Sequence, residues 1–430
     1  MSFAFALIVI LILAILGMPV FAVLTAIAML GFYFAEVDLA VMAIELYRLT
    51  DTSILLALPL FTFAGYVLSE SNTSHRLVRL TQALIGSVHG GLAFVALIAC
   101  ALFTALTGAS GVTIVALGAL LYPALKEGGY SDKFSLGLVT SSGSLGLLLP
   151  PSLPLILYSI IASQMDLGVD VSLETLFIAG LLPAALMLVL LCGYSWWSHR
   201  NVETRKTPFS WREVGAACWE AKWELPLPLV ILGSVYSGLV AVSEAAALTA
   251  AYVLIIEVFV YREVSVKALP RIIRESMVMV GSILLILGVA MAFTNYLIDI
   301  EVPSRLFDWM QRHVDDRLTF LLLLNIFLLL LGAMLDIFAA LIVVVPLLLP
   351  VAIGYGIDPV HLGIIFLANM QIGYFTPPVG MNLFIASYRF QKPVLTLYQS
   401  TIPFFWVLLA AVLIITYVPE LSLMLLDRGL

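Results

Sequence analysis

Residues 140–159, TSSGSLGLLLPPSLPLILYS, and residues 367–387, LANMQIGYFTPPVGMNLFIAS, decide the fold of this chain. Each is an apolar run long enough to enter a bilayer, and each is broken by a proline pair, Pro150-Pro151 and Pro377-Pro378. A helix cannot continue through such a pair, because proline lacks the N–H and clashes with the preceding turn. The pairs lie 227 positions apart, and Gly146 matches Gly373 at the same offset. Upstream of each stands a second matched stretch. LTGASGVTIVALGALLYPAL at 106–125 resembles LLGAMLDIFAALIVVVPLLLP at 330–350, with Gly108 opposite Gly332. Each half therefore reads as a hairpin followed by a broken helix.

Composition agrees. Apolar residues make up 62% of the chain and charged residues 11%, against roughly 45–50% and about 25% in soluble domains. Such a chain has too little polar surface for water. Within hydrocarbon each segment must satisfy its own backbone, so the spans are helical. Spans are expected near 2–35 (broken at Gly17-Met18-Pro19), 52–69, 175–197, 225–240, 243–262, 275–298 and 400–418. The hairpins cover 91–126 and 318–352, and the broken helices 134–163 and 360–388. Tryptophans mixed with basic residues at 198–224 fit a helix lying in the membrane interface.

Lys/Arg asymmetry orients the chain. The segments near Arg76, at 200–222 and at 262–274 are expected in the cytoplasm. Those at 164–174 and 299–317 are expected in the periplasm. The parity holds if both hairpins are re-entrant, the first opening to the cytoplasm and the second to the periplasm. The halves are then an inverted-topology repeat, the plan of many secondary transporters. The expected architecture is an all-α polytopic membrane protein. Scaffold helices fill 1–90, 164–317 and 391–430, and the two transport repeats fill 91–163 and 318–390.

Interrupted helices at matched positions point to the site. Broken backbone frees carbonyls; with hydroxyls and amides these are hard oxygen ligands suited to Na⁺. Half-helix N-termini attract an anion. Asp336 is an intramembrane carboxylate, costly unless used; its bland alternative is a helix cap. Ser110 and Thr107 stand at the first tip, with helix back-bonding as the alternative. Ser152 and Thr376 flank the breaks. For Asn369 and Asn382 the alternative is helix–helix hydrogen bonding. Glu244 reads as a carboxylate at a helix N-terminus, and His361 as a capping or interface residue.

Three scattered cysteines, Cys100, Cys192 and Cys218, show no metal spacing. No basic residue precedes Arg48, so a cleavable leader is not expected. No basic tract suggests nucleic acid. Gly108-Ala109-Ser110-Gly111 satisfies an intramembrane serine protease pattern. A base must then lie near the serine, yet all five histidines map to loops or span ends. No phosphate-binding Gly-rich Lys motif is present for an ATP-driven pump. The chain is not expected to be an enzyme.

These stretches, with Ser243-Glu244-Ala245-Ala246-Ala247 and the run Gly354 to Asn382, resemble the large membrane subunit of the tripartite ATP-independent periplasmic (TRAP) transporters along nearly the whole chain. The resemblance implies a multi-pass protein of the bacterial or archaeal inner membrane. It implies an elevator-type carrier driven by a sodium gradient, with at least two Na⁺ and an organic-acid substrate. Its partners would be a small four-helix membrane subunit and a periplasmic substrate-binding protein. It places the sodium sites at Gly108 to Gly111 with Ser142 to Ser152, and at Gly332 to Asp336 with Asn369 to Asn382. The candidate set thus includes Thr107, Gly108, Ser110, Gly111, Ser142, Gly143, Pro150, Pro151 and Ser152 in the first half. In the second half it includes Gly332, Asp336, Asn369, Thr376, Pro377, Pro378, Gly380 and Asn382. Carbonyls and hydroxyls around Gly108, Ser110, Gly332 and Thr376 are the expected ion ligands. A stand-alone sodium–dicarboxylate symporter of similar inverted-repeat fold is the alternative.

Overall fold

The computed structural model describes residues 3–49, 52–88, 90–165, 171–200, 208–237, 239–314 and 316–426. Asp51, His89, Asp166, Asp170, Arg205 and Lys206, which entered the charge and motif reading, lie outside them. Among the described residues every regular element is helical. Six helical segments there are long and apolar enough to cross a membrane, or up to eight if two bent pairs count as spans. Large apolar side chains cover much of the exterior, among them Ile15, Val278, Leu318 and Trp406. An apolar exterior of this extent belongs in lipid.

The first scaffold part comprises α1 (Phe3–Ile15), α2 (Val20–Phe34), α3 (Ala40–Arg48), α4 (Ala57–Glu70) and α5 (Thr73–Ile85). The first hairpin is α6 (Gly91–Thr107) and α7 (Ser110–Glu127). The first broken helix is α8 (Asp132–Ser142), a 3₁₀ turn at Leu145–Leu148, and α9 (Leu153–Gln164), bent by 41°. Scaffold helices follow: α10 (Leu173–Ala179), α11 (Leu181–His199), α12 (Trp211–Glu220), α13 (Pro226–Tyr236), α14 (Val242–Ile255), α15 (Leu269–Asp299) and α16 (Val302–Gln311). The second hairpin is α17 (Arg317–Met334) and α18 (Ile337–Gly354). The second broken helix is α19 (Pro359–Gly373) and α20 (Met381–Phe390). Then come α21 (Val394–Tyr417) and the short α22 (Glu420–Leu423).

Local chemistry sets the boundaries. Ser131 caps α8 by accepting from Phe134 N (3.3 Å). Asp358 caps α19 by accepting from Val360 N and His361 N (2.8 and 3.2 Å), with Pro359 in the first turn. These are the residue types that satisfy the orphan N–H groups of a first turn. Both breaks fall at the proline pairs, each with a cis Pro-Pro bond.

Three parts of the structure differ from the sequence expectation. The segment carrying Arg76 is not a loop: it is helix α5, turned 74° from α4. Ser74, Leu77, Val78 and Thr81 are buried on it, so its apolar face drives the packing. Arg76 is itself buried. It bonds Glu224, lies 3.3 Å from Glu257 and 2.5 Å from Glu263, and stacks on Tyr261 at 4.0 Å. Burial pushes the Glu224 carboxyl above its usual range against the pull of Arg76. Burial, the largest single influence, raises Glu263, but the hydrogen bonds from Arg76 and Asn72 and the Arg76 charge together hold that carboxyl low. The second difference is α13, whose 11 residues span only about 16 Å, too short to cross alone. The third is the charged segment 299–317, most of which is helix α16. Glu244 bonds Ala241 N (2.9 Å) at the start of α14, as a helix N-terminal carboxylate does.

Candidate functional site

The two hairpin tips meet at one cavity of about 500 Å³. Gly108 to Val112 supply the first tip and Asp336 to Phe338 the second. Tyr374, Met381 and Ile385 come from the second broken helix, and Leu147 from the first. The opposite wall is scaffold: Tyr66, Ser69 and Glu70 at the end of α4, and Glu275 and Met279 on α15. By length α17 and α18 could each cross a membrane; their turn brings Asp336 to the cavity while Met334 and Leu335 beside it stay exposed.

The first tip is built by backbone conformation. Gly108 has φ +69°, and a Cβ there would sit 2.7 Å from the Leu153 side chain. Only glycine fits both demands. Ala109, extended, begins α7 without a side-chain cap, so the positive end of the α7 dipole faces the cavity through Ser110, Gly111 and Val112. Ser110 Oγ donates to Asn382 Oδ1 (2.9 Å), joining the first hairpin to the second broken helix. The Thr107 hydroxyl turns away and donates to Phe103 O (2.9 Å).

The second tip is hydrogen-bonded from within. Asp336 accepts from Phe338 N (3.0 Å) and so caps α18. Its other oxygen accepts from Tyr374 Oη (2.9 Å), and that hydroxyl accepts from Ile337 N (2.9 Å). Gly380, at φ +55°, donates its N–H to Ala333 O (3.0 Å). Gly332 packs backbone to backbone on Gly373: a Cβ on Gly373 would lie 2.5 Å from the Gly332 carbonyl carbon.

The remaining candidates support the breaks. Thr104 Oγ1 donates to Gly143 O (2.9 Å) and pairs with Thr113 (2.7 Å). Ser142 back-bonds to Val139 O, and Thr376 to Ile372 O. Ser152 donates to Leu147 O and accepts from Leu155 N (3.4 Å), capping α9 beyond Pro150-Pro151. Asn369 Nδ2 donates to Asn325 Oδ1 (2.7 Å) on α17, its helix–helix alternative. The Asn369 Oδ1 and Asn382 Nδ2 atoms are buried with no partner among the described residues, as are both polar atoms of Gln371. Buried polar groups of this kind are ordinarily satisfied by water or a ligand. Among the described residues, no group of three His, Cys, Asp or Glu side chains could hold a metal ion.

Sequence reasoning singled out Asp336, Ser110 and Asn382, and the structure brings all three to or beside the cavity. It missed Tyr374, Asn325, Thr104 and the scaffold wall. Tyr374 lies one residue past Gly373 inside the break, and an aromatic hydroxyl there was the available signal.

Paired hairpins and paired broken helices closing on one internal cavity define a polytopic transport protein. The chain matches the sequence profile described as "Tripartite ATP-independent periplasmic transporter, DctM component" over residues 6–421. It therefore belongs to that family of transporter permease subunits, which are not enzymes. It is 34% identical over 419 residues to the C4-dicarboxylate TRAP transporter large permease protein DctM of Rhodobacter capsulatus, covering 95% of each chain. It is 30% identical to the ectoine/5-hydroxyectoine TRAP transporter large permease protein UehC of Ruegeria pomeroyi, covering 97% of this chain and 96% of that one. Among solved structures, the Alcanivorax borkumensis YdaH transporter shares the fold, with a TM-score of 0.64, 14% identity, and 90% and 88% of the two chains covered.

Proposed function

We propose that this chain moves a small organic acid into the cell across the inner membrane, driven by a sodium gradient. A periplasmic binding protein delivers the substrate and a small four-helix membrane subunit completes the scaffold. The hairpins and broken helices move together as the carrier against α4 and α15. The observation that carries this reading is the single cavity walled on one side by both hairpin tips and on the other by scaffold helices. With the basic segment 262–274 in the cytoplasm, the start of α15 and this cavity lie toward that side. The open dipole of α7 suits an acid group. Unpartnered Asn369 Oδ1, with the carbonyls and hydroxyls of the breaks, suits Na⁺. Relatives named for C4-dicarboxylates, isethionate and ectoines set the panel of substrates to try.

The test is uptake into proteoliposomes holding this chain with its small subunit, under an inward Na⁺ gradient, with binding protein present or withheld. The expected result is uptake that needs both. Sodium-driven uptake without binding protein favours the stand-alone symporter. Uptake indifferent to the gradient overturns sodium coupling.

A further inference from the structure

A second cleft, of about 200 Å³, lies at the far end of α15 from the first cavity. Arg48 on α3, with Met291, Thr294 and Asn295 on α15, forms its scaffold wall; Gln164 at the end of α9 and Pro346 on α18 face them from the carrier. Asn295 is sixteen residues beyond Met279 of the first cavity, roughly 24 Å along a helix. The two cavities therefore lie toward opposite ends of the same scaffold–carrier boundary.

Their charged linings are opposite. The first holds Glu70, Glu275 and Asp336; Arg271, outside the lining, pairs with both glutamates at 2.5 and 3.5 Å, and carboxylates remain in excess there among the described residues. Among the described residues the second holds Arg48 and no acidic residue. Arg48 Nη1 lies 3.3 Å from Glu45, whose side chain is buried beneath it, while the Arg48 side chain is 65% exposed. Its remaining nitrogens make no hydrogen bond to the described residues. Around it this end of the molecule is acidic, with Glu36, Asp38, Asp299 and Glu301 all exposed. Packing of Phe32 on Tyr296 at 5.7 Å brings the ends of α2 and α15 together there. Arg305, Arg312 and Arg317 are exposed on and beyond α16, but in the cleft the Arg48 guanidinium presents a planar fork suited to carboxylate or sulfonate between scaffold and carrier. Among the described residues the Asn295 amide makes no hydrogen bond, which leaves it to a ligand. Gln164 Nε2 donates to Thr52 Oγ1 (3.2 Å), bridging carrier and scaffold beside the cleft.

We infer that the Arg48 cleft receives the acid group of the substrate on the periplasmic side, with Arg48 and Asn295 as its recognition residues. This rests on the reading of a carrier that moves against the scaffold. Substrate then passes from a cationic lining outside to an acidic one inside, an asymmetry that favours capture at one face and release at the other.

The labelling test of the cleft needs no known substrate. In a chain with Cys192 and Cys218 replaced by serine, Asn295→Cys and Met279→Cys are labelled separately with anionic sulfonatoethyl and cationic trimethylammonioethyl methanethiosulfonates. The anionic-to-cationic rate ratio is expected to be at least tenfold higher at position 295 than at 279. Arg48→Gln should lower the ratio at 295 about tenfold and leave 279 unchanged. Equal ratios at both positions, or indifference to Arg48→Gln, overturn the site. The movement is tested apart from it. A bifunctional thiol cross-link between Thr52→Cys and Gln164→Cys should abolish uptake, and cleaving the link should restore it. Uptake that survives the cross-link defeats the moving-carrier reading and the receiving site with it.

Discussion

At the scale of single residues, Asp336 shows how one carboxylate serves two structures. It caps α18 and accepts the Tyr374 hydroxyl, so the second tip and the second break share one hydrogen-bonded knot. Tyr374→Phe removes only the hydroxyl, leaving Ile337 N and one Asp336 oxygen without that partner. A hydrogen bond to a charged group is worth about 1.5–3 kcal/mol, so transport should fall roughly tenfold or more while membrane insertion persists. Asp336→Asn and Ser110→Ala should also impair uptake without loss of insertion; full sodium-dependent uptake in both would remove these residues from the site. Arg76 makes a separate, structural prediction. Removing one partner of a buried ion cluster costs about 3–5 kcal/mol, so Arg76→Ala should lower thermal stability sharply in detergent, and an unchanged melting temperature would contradict its burial. Asp336 was legible because a lone carboxylate in an apolar run has few explanations. Tyr374, Asn325 and Glu257 were not, because a tyrosine, an amide or a glutamate near a span end is ordinary until its partner is seen. Those partners come from elements 38, 44 and 181 positions away.

At the scale of elements, backbone contact limits what the second half tolerates. Gly373→Ala places a methyl 2.5 Å from the Gly332 carbonyl carbon, so α19 and the second tip must separate. Transport should fall at least as far as in Tyr374→Phe, and uptake at the native rate would mean that the contact yields freely. Helix α17 carries its own pH dependence. Thr319, through its hydroxyl and then its N–H, holds the Asp316 carboxyl below its ordinary range. The stabilisation is complete above the unfolded value, near about pH 4, and is lost as pH falls through the depressed folded value. A melting curve of Asp316→Asn should accordingly be flatter than the native one on the acid side. The prolines and glycines made the hairpins and breaks readable, because those residues limit backbone geometry wherever they stand. Helix α5 was hidden for the opposite reason: its charges suggest solvent, and only the carboxylates of distant segments explain why Arg76 is buried.

At the scale of the molecule, the apolar exterior, the repeated hairpin and the ordering of breaks were legible, since hydropathy and proline spacing act locally. The wall that α4 and α15 present to the tips was not, because it depends on how two separated parts of the chain dock. The repeat also has a consequence at its centre. Ser144 and Gln371, related by the same 227 positions as the proline pairs, touch each other: Ser144 Oγ donates to Gln371 O at 3.1 Å. A position that meets its own counterpart lies close to the twofold axis relating the halves. If the halves descend from one duplicated ancestor, the two positions once held the same residue, facing itself across an isologous contact. The present contact has taken a direction: a side-chain hydroxyl on one side donates to a main-chain carbonyl on the other, and the Gln371 carboxamide takes no part in it. Exchanging the two side chains is therefore a measure of how far the halves have diverged, and the double swap should pack worse than the native order.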